Sequence, residues 1–263
     1  MDRTDKAIID ALQEDGRLSN VDLADRVNLS PKEFYEKMAA SSALPETAAP
    51  SPGAFEQAFR TAIDGGADGV LCVNLSGDLS ATIQSARNAV QAMDGAPVRV
   101  VDSLSVTGGL GSIVTTTARA ARDGASLDAV AKLAEDMVPR TRVFGALDTL
   151  DNLKKGGRVG AAQALLGSML SIKPLIEIRD GIVHEAGKPR TRKKALQALV
   201  DRVREAGEVE NVNVLHGFAP DGEELVSMVA EIVGRENITV GTIGATIGTH
   251  GGPRVAGVTF QVK

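Results

Sequence analysis

What this chain has least of is aromatic surface. Its 263 residues include six phenylalanines, one tyrosine (Tyr35) and no tryptophan, 3% in all. Proteins that hold single-stranded nucleic acid stack bases on several aromatic faces, and few are on offer here. Cysteine is nearly absent too: Cys72 stands alone in the apolar run Gly69-Val-Leu-Cys-Val. A disulfide framework is excluded, a reducing compartment fits, and the lone thiol is expected in a core. No run reaches the ~18 apolar residues that a membrane-spanning helix needs. The start, Met1-Asp-Arg-Thr-Asp-Lys, lacks the apolar stretch of a signal peptide, so a cytoplasmic protein with no stable membrane insertion is expected. Positive charge is in deficit: 29 Lys and Arg against 34 Asp and Glu give a net charge of −5. That balance exerts no long-range pull on nucleic acid or an anionic membrane.

Catalytic signatures are missing as well. The chain has no Walker A loop, no Gly-x-Ser-x-Gly, no His-Glu-x-x-His and no Cys-x-x-Cys. The three histidines, His184, His216 and His250, are far apart in sequence, and with one cysteine they form no metal-ligand set. No metal site is expected.

What is present has α/β grammar. Ile8, Ile9 and Leu12, then Val21, Leu23, Ala24 and Val27, repeat at helical spacing, and Ser30-Pro31 opens a third helix carrying Phe34, Tyr35 and Met38. Residues 40–53, with three prolines and a terminal glycine, read as a loop. Helices at about 54–65 and 79–93, and one led into by a glycine-studded turn (Gly108, Gly109, Gly111) and running to about Arg122, then alternate with strands at 69–74 and 98–102, and Ser126 caps a helix to Val138. That alternation argues for a parallel sheet covered by helices. After residue 150 come a basic turn, a short helix at about 159–168, and a hairpin from Lys173 closed by Asp180-Gly181. A basic helix from about Arg190, a strand at 212–215, a helix at 221–234 and a β-rich tail at 238–262 follow. The expected organisation is a helical segment over 1–39, a parallel α/β domain over 40–150, and a second α/β domain with a mixed sheet over 151–263.

Four groups of residues stand out. Thr107-Gly-Gly-Leu-Gly-Ser112 follows a strand and opens a helix, the context of an anion site. Close helix–strand packing through small residues explains it better, because the third glycine of a dinucleotide fingerprint is missing. Thr47 with Ser51, Ser80 with Thr82, and Asp102 with Ser103 sit at the starts of expected helices. There they either cap those helices or, gathered at a sheet edge, meet an anionic ligand. His250 lies in Gly248-Thr-His-Gly-Gly-Pro253, read as a loop permitting close backbone approach, with a site role and a structural one both open. Lys188-Pro-Arg-Thr-Arg-Lys-Lys194 puts five cations at a helix N-terminus, where the dipole disfavours them. An acidic partner or an anionic ligand would account for that cost.

From about Pro31 onward the chain resembles the DegV family. The resemblance rests on Lys32-Glu-Phe-Tyr-Glu-Lys-Met, Leu44-Pro-Glu-Thr-Ala-Ala-Pro-Ser-Pro-Gly53, Leu79-Ser-Ala-Thr-Ile-Gln-Ser-Ala86 and Val101-Asp102-Ser103. It continues through Leu150–Val159 with its Leu-Lys-Lys-Gly-Gly-Arg, Ile172-Lys-Pro, Gly187-Lys-Pro-Arg-Thr191 and Gly248-Thr-His250. It implies a fatty-acid-binding protein that holds a long-chain acyl group between two domains, a carrier without a catalytic residue rather than an enzyme, with the fatty acid as ligand and no other cofactor. It also implies that a separate ATP-dependent kinase takes the bound acyl group to acyl phosphate. Carried over residue by residue, Thr47, Ser80 and His250 bind the carboxylate with Arg158 in support, Ser51, Asp102 and Ser103 supply a supporting polar loop, and Arg190 docks the kinase. The family's Thr-Ser-Gln-Pro-Ser is here Thr47-Ala-Ala-Pro-Ser51.

Residues 1–30 instead resemble the start of an Lrp/AsnC-type helix-turn-helix, in place of the family's first strand. The alternative function this raises is a lipid-responsive DNA-binding regulator. The segment carries four basic and seven acidic residues, few contacts for phosphate, and nucleic acid is not the expected partner.

Overall fold

The computed structural model describes residues 30–41, 43–163 and 172–263. The two short helices expected within 1–29, and the helix-turn-helix resemblance they carry, lie outside the described residues. No helix among the described residues is long and apolar enough to cross a membrane.

The chain enters through α1 (Pro31–Ala40), where Ser30 and Glu33 form a capping box with Pro31 in the first turn. Residues 43–50 run without regular structure to α2 (Pro52–Asp64), which Ser51 caps through the Ala54 N–H. Then come β1 (Val70–Asn74), α3 (Thr82–Ala92), β2 (Val98–Asp102), α4 (Thr107–Arg122) and α5 (Leu127–Met137). Strands β1 and β2 pair in parallel as a two-stranded sheet, Val70 opposite Val98 through Asn74 opposite Asp102. Phe59, Ala86, Ala89 and Val98 close one face of it, with half-buried Cys72 packed against them. Val101, Ile113, Ala134 and Met137 close the other.

The remaining elements are β3 (Thr141–Ala146), α6 (Asp151–Lys155), β4 (Leu175–Arg179), β5 (Ile182–Gly187), α7 (Arg192–Glu205), β6 (Val209–His216), α8 (Gly222–Val233), β7 (Ile238–Thr242), α9 (Ala245–Gly251) and β8 (Ala256–Val262). Six of these strands form a mixed sheet in the order β5-β4-β3-β8-β6-β7, antiparallel except for the β6–β7 pair. Period-two alternation divides its faces. Phe144, Ala146, Val212, Val214, Ala256, Val258 and Phe260 face Leu196, Leu199, Val203, Leu225 and Val229 of α7 and α8. Each such fully buried aliphatic side chain contributes ~1.5–3 kcal/mol gross. Val143, Ile176, Ile178, Leu215 and Val255 lie on the opposite side.

Three expectations need correction. Strand β3 went unread in the sequence, and it lies ahead of residue 150 while pairing with β8 and β4 in the larger sheet. Its six residues carry no alternation because both faces are covered. The segment around His250 is helical, not a loop: α9 spans Ala245–Gly251 and ends where Gly252 turns to φ +80°. Its glycines serve packing, since Gly248 lies under the Tyr35 ring and Gly251 against Val255. Around the expected helix at 159–168, the described part is a single 3-10 turn at 160–163, begun by Gly160 at φ +53°.

Helix α4 joins the two sheets. Ile113 belongs to the smaller sheet's cluster, while Gly108 and Gly109 press the helix start onto the larger one. A Cβ at Gly108 would fall 2.7 Å from Thr259 Oγ1 and 2.9 Å from Leu215, and one at Gly109 would overlap Ser105 Oγ and stand 2.6 Å from Val143. Asn213 satisfies the polar groups of this seat, donating to Ser112 Oγ at 2.9 Å and Thr259 Oγ1 at 3.0 Å. The packing role of this glycine-rich turn therefore holds. Gly109→Ala is expected to cost ~1–3 kcal/mol, the scale of overpacking a close-packed contact. Urea unfolding measures it, and an unchanged midpoint would show that the helix does not sit this close.

Candidate functional site

Between the larger sheet and the loops of the smaller one lies a cavity of about 380 Å³, within the usual range for small-molecule sites. Its wall is mainly aliphatic: Leu147, Leu153, Ile176, Ile178, Val183, Leu215, Ile243 and Val255 all line it. The smaller sheet contributes Leu75 and Leu79 from the loop after β1. That loop is held over the cavity by Ser76 Oγ, which donates to the Gly181 carbonyl at 2.6 Å. Gly181, in the β4–β5 turn with φ +80°, leaves no room for a side chain against Ser76 and Asp78.

The polar lining comprises Thr107, Thr246 and Thr259 besides Thr47, Ser80, Thr82, Arg158 and His250. Thr47, in the irregular segment before α2, bonds His250 through Oγ1 and Nε2 at 3.0 Å. Ser80 shares a bond with Thr82 at 2.8 Å and accepts from the Thr82 N–H at 3.3 Å. Arg158 donates from Nη1 to the Gly156 carbonyl at 2.6 Å and from Nε to the Leu79 carbonyl at 3.1 Å. It thereby ties the turn after α6 to the loop that carries Ser80. The His250 ring fills the space that a side chain at Gly156 would take, which explains the first glycine of Lys154-Lys-Gly-Gly-Arg. Nδ1 of His250 is buried with no hydrogen-bond partner among the described residues. Burial, and secondarily the Arg158 cation, hold the His250 imidazole below its ordinary pKa. Near neutral pH the ring is uncharged, and Thr47, Ser80, Thr82 and Arg158 remain as donors. Such a set suits one small anionic group at the end of an apolar body.

Thr47, Ser80, Arg158 and His250 thus converge on one cavity, though they are spread over four segments of the chain. The other candidates do not reach it. Ser51 is spent capping α2. Asp102 accepts from the Gly77 N–H at 3.1 Å and the Leu104 N–H at 2.9 Å, and buried Ser103 accepts from the Ser105 N–H at 3.2 Å. Both shape the loops rather than the lining. Thr82, grouped with Ser80 in the sequence, also lines the cavity, as do Thr246, Thr259 and the glycines Gly145 and Gly257, which were not singled out as binding residues. For the glycines the only signal was their cavity-side parity in strands that cross-strand register alone brings together.

Of the basic run, Arg192 is structural: it clasps Asp221 in a bidentate pair at 2.8 and 2.9 Å and holds that carboxyl below its usual range. Lys188 pairs with Glu185 at 3.2 Å. Arg190 is exposed and lines a separate polar cleft with Asp148, Thr149 and Lys173. There Asp148 pairs with Lys173 at 3.0 Å and Arg254 at 3.6 Å. No group of His, Cys, Asp and Glu among the described residues could hold a metal ion.

Comparison with known proteins gives consistent matches. The family model described as "Uncharacterised protein, DegV family" matches residues 10–263, starting ahead of Pro31. A DegV domain-containing protein of Deinococcus radiodurans is 38% identical over 241 residues, covering 90% of this chain and 85% of that protein. A solved structure reported for fatty acid binding of a DegV family protein from Thermus thermophilus superposes with TM-score 0.83 at 34% identity. It covers 89% of this chain and 85% of its own. A fatty acid binding DegV family protein from Streptococcus agalactiae gives TM-score 0.81 at 25% identity, covering 89% and 84%.

The imidazole shift carries a stability consequence. Because the folded state lowers the His250 pKa, the unfolded chain takes up the proton first as pH falls below ~6.5. The stability conferred by the neutral ring is complete above that value and is lost as pH drops toward the folded pKa. NMR titration of the His250 ring is expected to show a midpoint below the ordinary one, and Arg158→Gln is expected to raise it. An unmoved midpoint in that variant would remove Arg158 from the environment of His250.

Proposed function

The chain belongs to the DegV family, and on that premise we infer that it binds a long-chain fatty acid, tail in the aliphatic cavity and carboxylate at Thr47, Ser80, Arg158 and His250. One observation carries the reading: among the described residues, a cavity walled mainly by aliphatic side chains has its only cation, Arg158, and its only histidine, His250, lining it together with Thr47, Ser80 and Thr82. Burial of ~0.8 kcal/mol per methylene makes a tail of ~14 methylenes worth ~11 kcal/mol gross, before ordering costs. The tail supplies affinity, and the polar end fixes orientation. Thr47 and Ser80 donate hydroxyl bonds, Arg158 supplies the countercharge, and neutral His250, with its proton on Nε2, donates to Thr47 Oγ1 and so leaves the Thr47 hydroxyl proton for the carboxylate. We assign chemistry on the acyl group to a separate ATP-dependent kinase acting on the bound carboxylate. Three cations, Lys173, Arg190 and Arg254, around the single carboxylate Asp148 support the cleft at Arg190 as the docking point for such a partner.

Native mass spectrometry of the purified protein, before and after incubation with palmitate or oleate, is expected to show the chain mass plus one fatty acid. A bare chain mass in every sample would end this reading. Ser80→Ala and His250→Ala are each expected to weaken binding by ~1–3 kcal/mol, the scale of a lost bond to a charged group, and unchanged affinity in both would remove the head-group assignment. Arg190→Glu is expected to spare lipid binding and abolish acyl phosphate formation with the cognate kinase. Full turnover in that variant would exclude Arg190 from docking.

A further inference from the structure

The floor of the cavity is bare along one line. Cross-strand register sets Ile176 of β4 beside Gly145 of β3, Gly145 beside Gly257 of β8, and Gly257 beside Leu215 of β6. All four residues line the cavity. Matched positions on neighbouring strands send their side chains to the same face, so this row offers two aliphatic banks with nothing between them. Two residues along, the row of Ile178, Val143, Thr259 and Asn213 is filled, and α4 rests on it. At the usual strand spacing the banks stand about 14 Å apart, so a methylene chain crossing from one to the other lies over the glycines.

The two glycines have different reasons to be there. A Cβ at Gly257 would fall 2.6 Å from the Phe144 carbonyl oxygen, so the backbone itself demands glycine. At Gly145 nothing does. Its backbone is not left-handed, and a Cβ there would meet only the Ile176 side chain, at 3.4 and 3.7 Å, and the Ala256 carbonyl at 4.0 Å. Those are ordinary contacts. A side chain at 145 fits the fold and costs only cavity.

We propose that Gly145 sets the length of acyl chain this cavity accepts, because its missing side chain keeps the Ile176 side of the cavity continuous with the Leu215 side. The inference rests on the fatty-acid reading above. A larger residue at 145 divides the floor, and a chain short enough to lie on one side is retained while one that must cross is refused.

The test is a binding series from decanoate to octadecanoate on the wild-type protein, Gly145→Ala and Gly145→Val, with thermal unfolding of each. Gly145→Val is expected to lose about tenfold or more for octadecanoate, to hold decanoate as the wild type does, and to shift the preferred length downward. Gly145→Ala, whose methyl meets only ordinary contacts, is expected to shift it in the same direction by less, and it decides the question if the valine variant does not fold. Identical profiles for alanine variant, valine variant and wild type overturn the proposal, and so does an equal loss at every length. A wild-type protein that binds none of the series overturns the fatty-acid reading instead, and this inference with it.

Discussion

Two glycines at the start of α4 allow a helix to lie on a sheet closer than any side chain permits, and the rest of the molecule is arranged around that seat. Gly108 and Gly109 bring the helix down onto Thr259, Leu215 and Val143. Its other face, through Ile113, is bound into the smaller sheet with Val101, Ala134 and Met137. The helix thereby fixes the height of one sheet above the other. The loop after β1 then reaches Gly181 through Ser76, and Leu79 and Ser80 become the roof of a cavity whose floor is the larger sheet.

The seat is polar where the cavity is apolar, and the division follows one strand position. Asn213 and Thr259 pair across β6 and β8, both buried, and the Asn213 amide donates to Thr259 Oγ1 and to Ser112 Oγ. A buried amide with its donors satisfied tolerates few alternative registers, since displacing the helix by one residue would leave those groups unpaired at ~1–3 kcal/mol apiece. Two residues along the same strands, Leu215 faces Gly257 and the surface turns aliphatic and open.

Much of this was legible in the sequence, for identifiable reasons. Capped helices such as those after Ser30, Ser126 and Thr191 announce themselves locally, and so does the Asp180-Gly181 turn. Motif resemblance singled out Thr47, Ser80, Arg158 and His250, which line one cavity. What escaped depends on register or on glycine with two meanings. β3 is short, covered on both faces and free of turn residues, so nothing local marks it. In α9 the glycines look like a loop, yet they make room for Tyr35 and Val255. The bare floor exists only when Gly145 and Gly257, far apart in sequence, are aligned by pairing. No window along the chain contains that alignment.

The bond between Thr47 and His250 spans 203 positions, and the one that anchors Tyr35 to the Ile243 carbonyl spans 208. The first ties the segment after α1 to α9, and the second ties α1 to the short connection between β7 and α9. During synthesis more than 200 residues must follow the first partner of each bond before its second partner is made. The central β3 strand likewise waits for β8, its partner far downstream. Contacts of such long reach close late, because the intervening chain must be ordered first. The wall, which includes Ile243, Val255 and Gly257, and the polar pair of Thr47 with His250 therefore close together, once the segment from β7 to β8 has been made.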